Sequence, residues 1–117
     1  MNRPAIKTAI PKHRYQIGAF TVIVLDEIET SDPTPYQFVA AVMRDGDPEP
    51  GIYLTVERPA DAVEGKTALP LKLIMRDGTQ LVKSSERWWD VETFTQDMLD
   101  YVRTILDMQD EEPYRLM

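Results

Sequence analysis

The sequence contains no cysteine, which excludes disulfides, thiolate metal sites and cysteine nucleophiles. It contains one histidine, His13, so a zinc site built on two or more histidines is excluded too. The five glycines are scattered and form no phosphate-cradling loop. The serines, Ser31, Ser84 and Ser85, do not sit in a nucleophile elbow. No apolar run approaches the roughly 18 residues that a spanning helix needs, so no membrane partner is expected. The opening segment MNRPAIKTAIPKHR lacks a continuous apolar stretch and carries Pro4 and Pro11, so it does not read as a secretory signal. Together with the missing cysteine, this leads to the expectation of a reducing, cytoplasmic setting.

What is present fits one globular domain. The chain has 117 residues, of which 43% are apolar and 28% charged, enough for a real core without staples. The net charge of −7 is unevenly spread. Residues 1–14 hold Arg3, Lys7, Lys12 and Arg14 and no acid. Residues 90–112 hold eight acids against Arg103 alone. An acidic body opposes contact with phosphate backbones, so nucleic acid is not expected as a partner.

Residues 1–13 show no clean period and are expected to be a flexible basic arm. Residues 14–29, RYQIGAFTVIVLDEIE, are rich in β-branched and aromatic side chains and read as one long strand, with Gly18 marking a bulge. The prolines of TSDPTP at 30–35 place a loop there. Further strands are expected at 36–44, 51–58, 69–76 and 79–86. In the third of the five, Ile52, Leu54 and Val56 alternate with Tyr53, Thr55 and Glu57, the pattern of a strand with one buried and one wet face. Two segments nearly repeat: VMRDGD at 42–47 and IMRDGT at 74–79. The apolar positions after the turn do not match, so the repeat reads as one turn chemistry used twice, not a duplicated unit.

The last element is a helix. Apolar residues recur at 91, 94, 98, 101, 102, 105 and 108, a helical period. Asp90 is the expected N-cap. Trp89 and Phe94 have the spacing of a hydrophobic staple, which leaves Trp88 near the surface as a candidate binding residue. Pro113 bounds the element. Asp107, Asp110, Glu111 and Glu112 crowd its C-terminal end, where the helix dipole disfavours acids, so fraying is expected.

The expected fold is therefore α+β: a mostly antiparallel five-stranded meander with one C-terminal helix packed on one face. The single domain spans 14–112, between the arm and a short tail at 113–117. The first two strands are apolar on both faces, with Val22 and Val24 against Ile23 and Leu25, and Phe38, Ala40 and Val42 against Val39, Ala41 and Met43. One helix covers one face. A valine-sized side chain left in water forfeits roughly 1.5 kcal/mol or more of possible burial, so something should cover the second face. A second copy, another protein, a small ligand, the arm or a curled sheet would each serve. The expectation is a non-catalytic interaction or assembly module, a homo-oligomer or a binder of another protein, using Trp88, Val22, Val24, Val39, Ala41 and Met43. The alternative is a small-molecule binder with an apolar pocket on the second face, where Ala40, Ala41 and Gly18 leave room. A carboxylate enzyme built on Asp26, Glu27 and Glu29 ranks third, and His13 is too close to the arm to anchor a triad. The acids Asp45, Asp47 and Glu49 resemble a calcium loop only loosely. No cofactor is expected.

Overall fold

The computed structural model describes residues 3–33 and 35–117; Met1 and Asn2 of the expected arm, and Thr34 of the expected loop, lie outside them. The stretch expected as one strand folds back on itself at Gly18–Ala19. Gly18 has φ +54, which glycine adopts without a Cβ penalty. Ile17 then pairs with Phe20. Two antiparallel strands result, β1 at Ile6–Ile17 and β2 at Phe20–Thr30. The meander continues through β3 at Tyr36–Arg44, β4 at Ile52–Glu57, β5 at Leu69–Met75 and β6 at Gly78–Ser85. Both copies of Met-Arg-Asp-Gly close a strand, β3 and β5 respectively. A final short strand, β7 at Tyr114–Arg115, pairs with Tyr15 and Gln16 on the outer side of β1. The spatial order is β6-β5-β4-β3-β2-β1-β7. The α+β antiparallel class holds, but among the described residues one sheet of seven strands replaces the expected five.

One correction follows from this topology. Residues 6–13 are not a free arm but the first part of β1, paired with β2. Their prolines do not prevent this. Pro11 sits where the β1–β2 register shifts, and β1 has a largely open outer edge, the positions at which a strand tolerates proline. The tail is also ordered. Besides β7, the Leu116 N–H donates to the Arg14 carbonyl at 2.7 Å.

Cross-strand register decides which face the helix covers. Val22 lies opposite Val42 and Val24 opposite Ala40; Ala40 in turn lies opposite Leu54. All five are buried in one cluster with Phe94, Met98, Leu99 and Val102 of the helix α1, Val91–Ile105. Phe38 and Phe94 pack with ring centroids 5.2 Å apart. Asp90 caps α1 as expected, accepting from the Thr93 N–H at 2.9 Å and the Thr93 hydroxyl at 2.8 Å. These bonds favour the ionised form and hold the Asp90 carboxyl below its ordinary range. Among the described residues no helix is long and apolar enough to cross a membrane.

The helix stops sharply at Ile105 instead of fraying among the later acids. Met108 N–H donates to the Arg103 carbonyl at 2.7 Å and Asp107 N–H to the Thr104 carbonyl at 3.2 Å. Asp107 adopts φ +54. This is the paired hydrogen-bond pattern of a Schellman terminus. Met108 then lies on Gly18, where an added Cβ would collide with its Cε. The left-handed position usually belongs to glycine. Asp107→Gly should therefore stabilise the chain by about 0.5–1 kcal/mol, measured as a higher urea midpoint with an unchanged slope.

Candidate functional site

The second sheet face is covered by the chain itself. Val39, Ala41, Tyr53 and Ile74 form a small buried cluster there, and Ile6, Leu25, Ile28 and Tyr36 pack against it. Register shifts at Ile6/Thr8, Thr8/Ile10 and Pro11/His13 bend β1 and β2. The ends of both strands then reach over the central ones. The Ser31 N–H donates to the Ala5 carbonyl at 3.1 Å, and the Ala5 N–H donates to Asp32 Oδ2 at 3.2 Å. Arg3 forms an ion pair with Glu49 in the β3–β4 loop. Residues 3–6 thus lie across the face that the sequence left open. The wet side expected for β4 is accordingly dry: Tyr53 and Thr55 are both buried.

A cleft of about 280 Å³ remains on this face, lined by Arg3, Asp32, Tyr36, Thr55, Glu57 and Lys72, with Pro33, Ile74 and Thr79 completing the wall. β3 and β4 bring Tyr36 opposite Glu57. β4 and β5 bring Thr55 opposite Lys72. The Tyr36 hydroxyl donates to Asp32 Oδ2 at 2.6 Å, and Lys72 Nζ lies 2.5 Å from Glu57 Oε1. Thr55 is 1% exposed, and among the described residues its Oγ1 has no hydrogen-bond partner. Its neighbours in β4, Leu54 and Val56, belong to the helix-side core, so alternation directs Thr55 to the cleft side.

Burial, the bond to Asp32 and the nearby charges of Asp32 and Glu57 all push the Tyr36 phenol well above its ordinary range. The folded chain therefore holds Tyr36 neutral after an unfolded tyrosine has begun to ionise near pH 10. The stability linked to Tyr36 is complete below that pH and is lost as pH rises toward its higher folded value. Tyr53, also raised chiefly by burial, acts in the same direction. Tyr36→Phe should flatten the alkaline fall in stability without abolishing it, as read from urea unfolding across an alkaline pH series.

The residues expected to bind a partner do not share one surface. Trp88 is fully buried; its Nε1–H donates to Asp97 Oδ2 at 2.8 Å. It lies in a 3₁₀ turn, Glu86–Trp89, where the strand alternation assumed for it does not apply. Val22 and Val24 belong to the helix-side core. Val39 and Ala41 belong to the opposite cluster, and Met43 is partly buried at the end of β3. The room expected from Ala40, Ala41 and Gly18 is filled as well, because both alanines are packed and Gly18 lies beneath Met108.

The charged candidates are equally dispersed. Asp26 accepts from the Glu27 N–H at 2.7 Å, and Glu29 accepts from the Thr8 hydroxyl at 3.3 Å. Lys12 lies 3.7 Å from Glu27. Asp45 binds the Gln16 amide and the Thr21 hydroxyl, and Glu49 binds Arg3. Asp45, Asp47 and Glu49 therefore do not converge. Among the described residues, no three acids or histidines group to hold a metal ion. His13 is 7% exposed within β1, with Nε2 2.8 Å from Glu92 Oε1 of α1. It ties the sheet edge to the helix start.

A second cleft, of about 380 Å³, lies between β6 and α1, lined by Lys83, Ser85, Arg87, Asp97, Asp100, Tyr101 and Thr104. Its polar groups answer one another. Arg87 pairs with Asp97, and Lys83 lies 5.5 Å from the Tyr101 ring centroid and 5.9 Å from that of Trp88. No known protein family matches the chain, and no curated protein or solved structure does.

Proposed function

We propose that this chain is a small-molecule-binding domain whose site is the polar cleft on the second sheet face. One observation carries the reading: Thr55 Oγ1 is buried at the cleft without a partner among the described residues. An unmet buried hydroxyl costs about 1–3 kcal/mol. A ligand that parts the side chains shielding this hydroxyl and bonds to it recovers that cost on binding, and the Asp32, Tyr36, Glu57 and Lys72 side chains lining the cleft can fix an orientation. The site differs in character from the apolar pocket expected from the sequence, since four charged residues line it. The test is a small-metabolite screen by amide NMR on the whole chain. Binders should move the signals of Thr55, Tyr36 and Lys72 first. Hits confined to the cleft between β6 and α1, or none at all, would contradict the proposal.

A second reading keeps the assembly module but moves its surface. β6 is an edge strand, and Leu81 on it is 61% exposed. An open edge is a template for pairing with another chain. If the chain self-associates this way, native mass spectrometry finds a multiple of 13.5 kDa, and Leu81→Lys returns it to monomer.

A further inference from the structure

We infer that the ligand of the second-face cleft is a small hydroxylated organic cation, its positive group answered by Asp32 and a hydroxyl by Thr55. This rests on the binding-domain reading above. Charge bookkeeping around the cleft supports it. Lys72 is matched by Glu57 at 2.5 Å, and Arg3 is matched by Glu49. Asp32 is bonded only to neutral donors, the Tyr36 hydroxyl at 2.6 Å and the Ala5 N–H at 3.2 Å. Among the described residues it has no cationic partner. Its charge is the one left unanswered in the cleft among the described residues, and a partly enclosed site strengthens its pull on a cation.

The rest of the lining narrows the class. Both cations of the cleft are already engaged, so an anionic ligand would have to break an ion pair to bind. A bare metal ion lacks a ligand set, because no three metal-binding side chains group among the described residues. The hydroxyls of Thr55 and Thr79 line the same space and suit a partner that also carries hydroxyls, which both donate and accept. A volume of about 280 Å³ sits near the small end of the range for ligand pockets, so a molecule the size of one sugar ring is appropriate.

Three sugars of one size and different charge provide the test: glucosamine, glucose and glucuronate, each titrated into the full chain at mildly acidic pH and followed by amide NMR. Glucosamine should move the signals of Thr55, Tyr36 and Ile74 and bind at least about tenfold more tightly than the other two, the scale of one charge-assisted hydrogen bond. Asp32→Asn should remove that preference, and Thr55→Val should weaken all residual binding. If glucose or glucuronate binds the cleft as well as glucosamine does, the cation assignment is overturned while the site itself stands. Glucosamine binding that is indifferent to Asp32→Asn overturns the role of Asp32. If none of the three moves a cleft signal, the hydroxylated-cation assignment is overturned, and the metabolite screen above decides the site itself.

Discussion

Trp88→Ala is expected to destabilise the free chain by about 3–5 kcal/mol, the usual range for emptying a buried aromatic site. Trp88 is 0% exposed and packs in the cluster that joins the sheet to α1. Its indole N–H is bonded to Asp97, so truncation also leaves that carboxylate one donor short. Trp88→Phe keeps most of the ring volume and loses the donor, and should cost about 1–2 kcal/mol. Against a total near 5–15 kcal/mol for a domain of ordinary stability, the alanine variant approaches the threshold of folding. Urea denaturation monitored by far-ultraviolet circular dichroism measures both variants. A Trp88 that anchored a partner would give the opposite pattern, with intact stability of the free chain and lost binding.

Val39→Asp should be comparably severe, on the order of 3–5 kcal/mol, because it buries a carboxylate with no partner. Val39 is 0% exposed on the second sheet face, beneath the covering ends of β1 and β2. If that face were an open interface awaiting another chain, an aspartate there would be solvated in the monomer, and stability would change little. The result therefore separates a self-covered sheet from an uncovered one. Leu81→Asp on the exposed edge of β6 serves as the control and should cost far less.

Local chemistry was legible where it was decisive on its own. The Asp90 cap, the start of α1 and the limits of β3 can be read from side-chain type and spacing, and the structure places them at the expected residues. The hairpin at Gly18 was hidden because apolar residues run on through both sides of it. Glycine fits a bulge and a turn equally well, and only pairing of Ile17 with Phe20 distinguishes them. Residues 6–13 looked like an arm because proline weakens strand propensity, whereas an edge strand with register shifts accommodates it. Trp88 and Trp89 were assigned by the alternation of an extended chain, which fails in a 3₁₀ turn.

The candidate site was less legible than the fold. Whether β4 has a wet face depends on what the distant ends of β1 and β2 do, so Thr55 looked solvated from its own strand pattern. The grouping of Asp32, Tyr36, Thr55, Glu57 and Lys72 depends on the register between strands, which no local spacing encodes. The expectation that something must cover the second face was sound in its physics. The cover is the chain's own curl and N-terminal segment, and the space left beneath that cover is the cleft.

Thr55→Val tests the central claim most directly, because the claim depends on a hydroxyl whose bonding is unmet in the free chain. Valine has nearly the same shape and no hydrogen-bonding group. Thermal unfolding of the two proteins without ligand is the measurement. The account predicts a Tm for Thr55→Val that is unchanged or higher, since removal of an unsatisfied buried hydroxyl relieves its desolvation cost. A lower Tm, equivalent to about 1 kcal/mol or more of lost stability, would show the hydroxyl already bonded within the fold, and the cleft would then have no unmet group to offer a ligand.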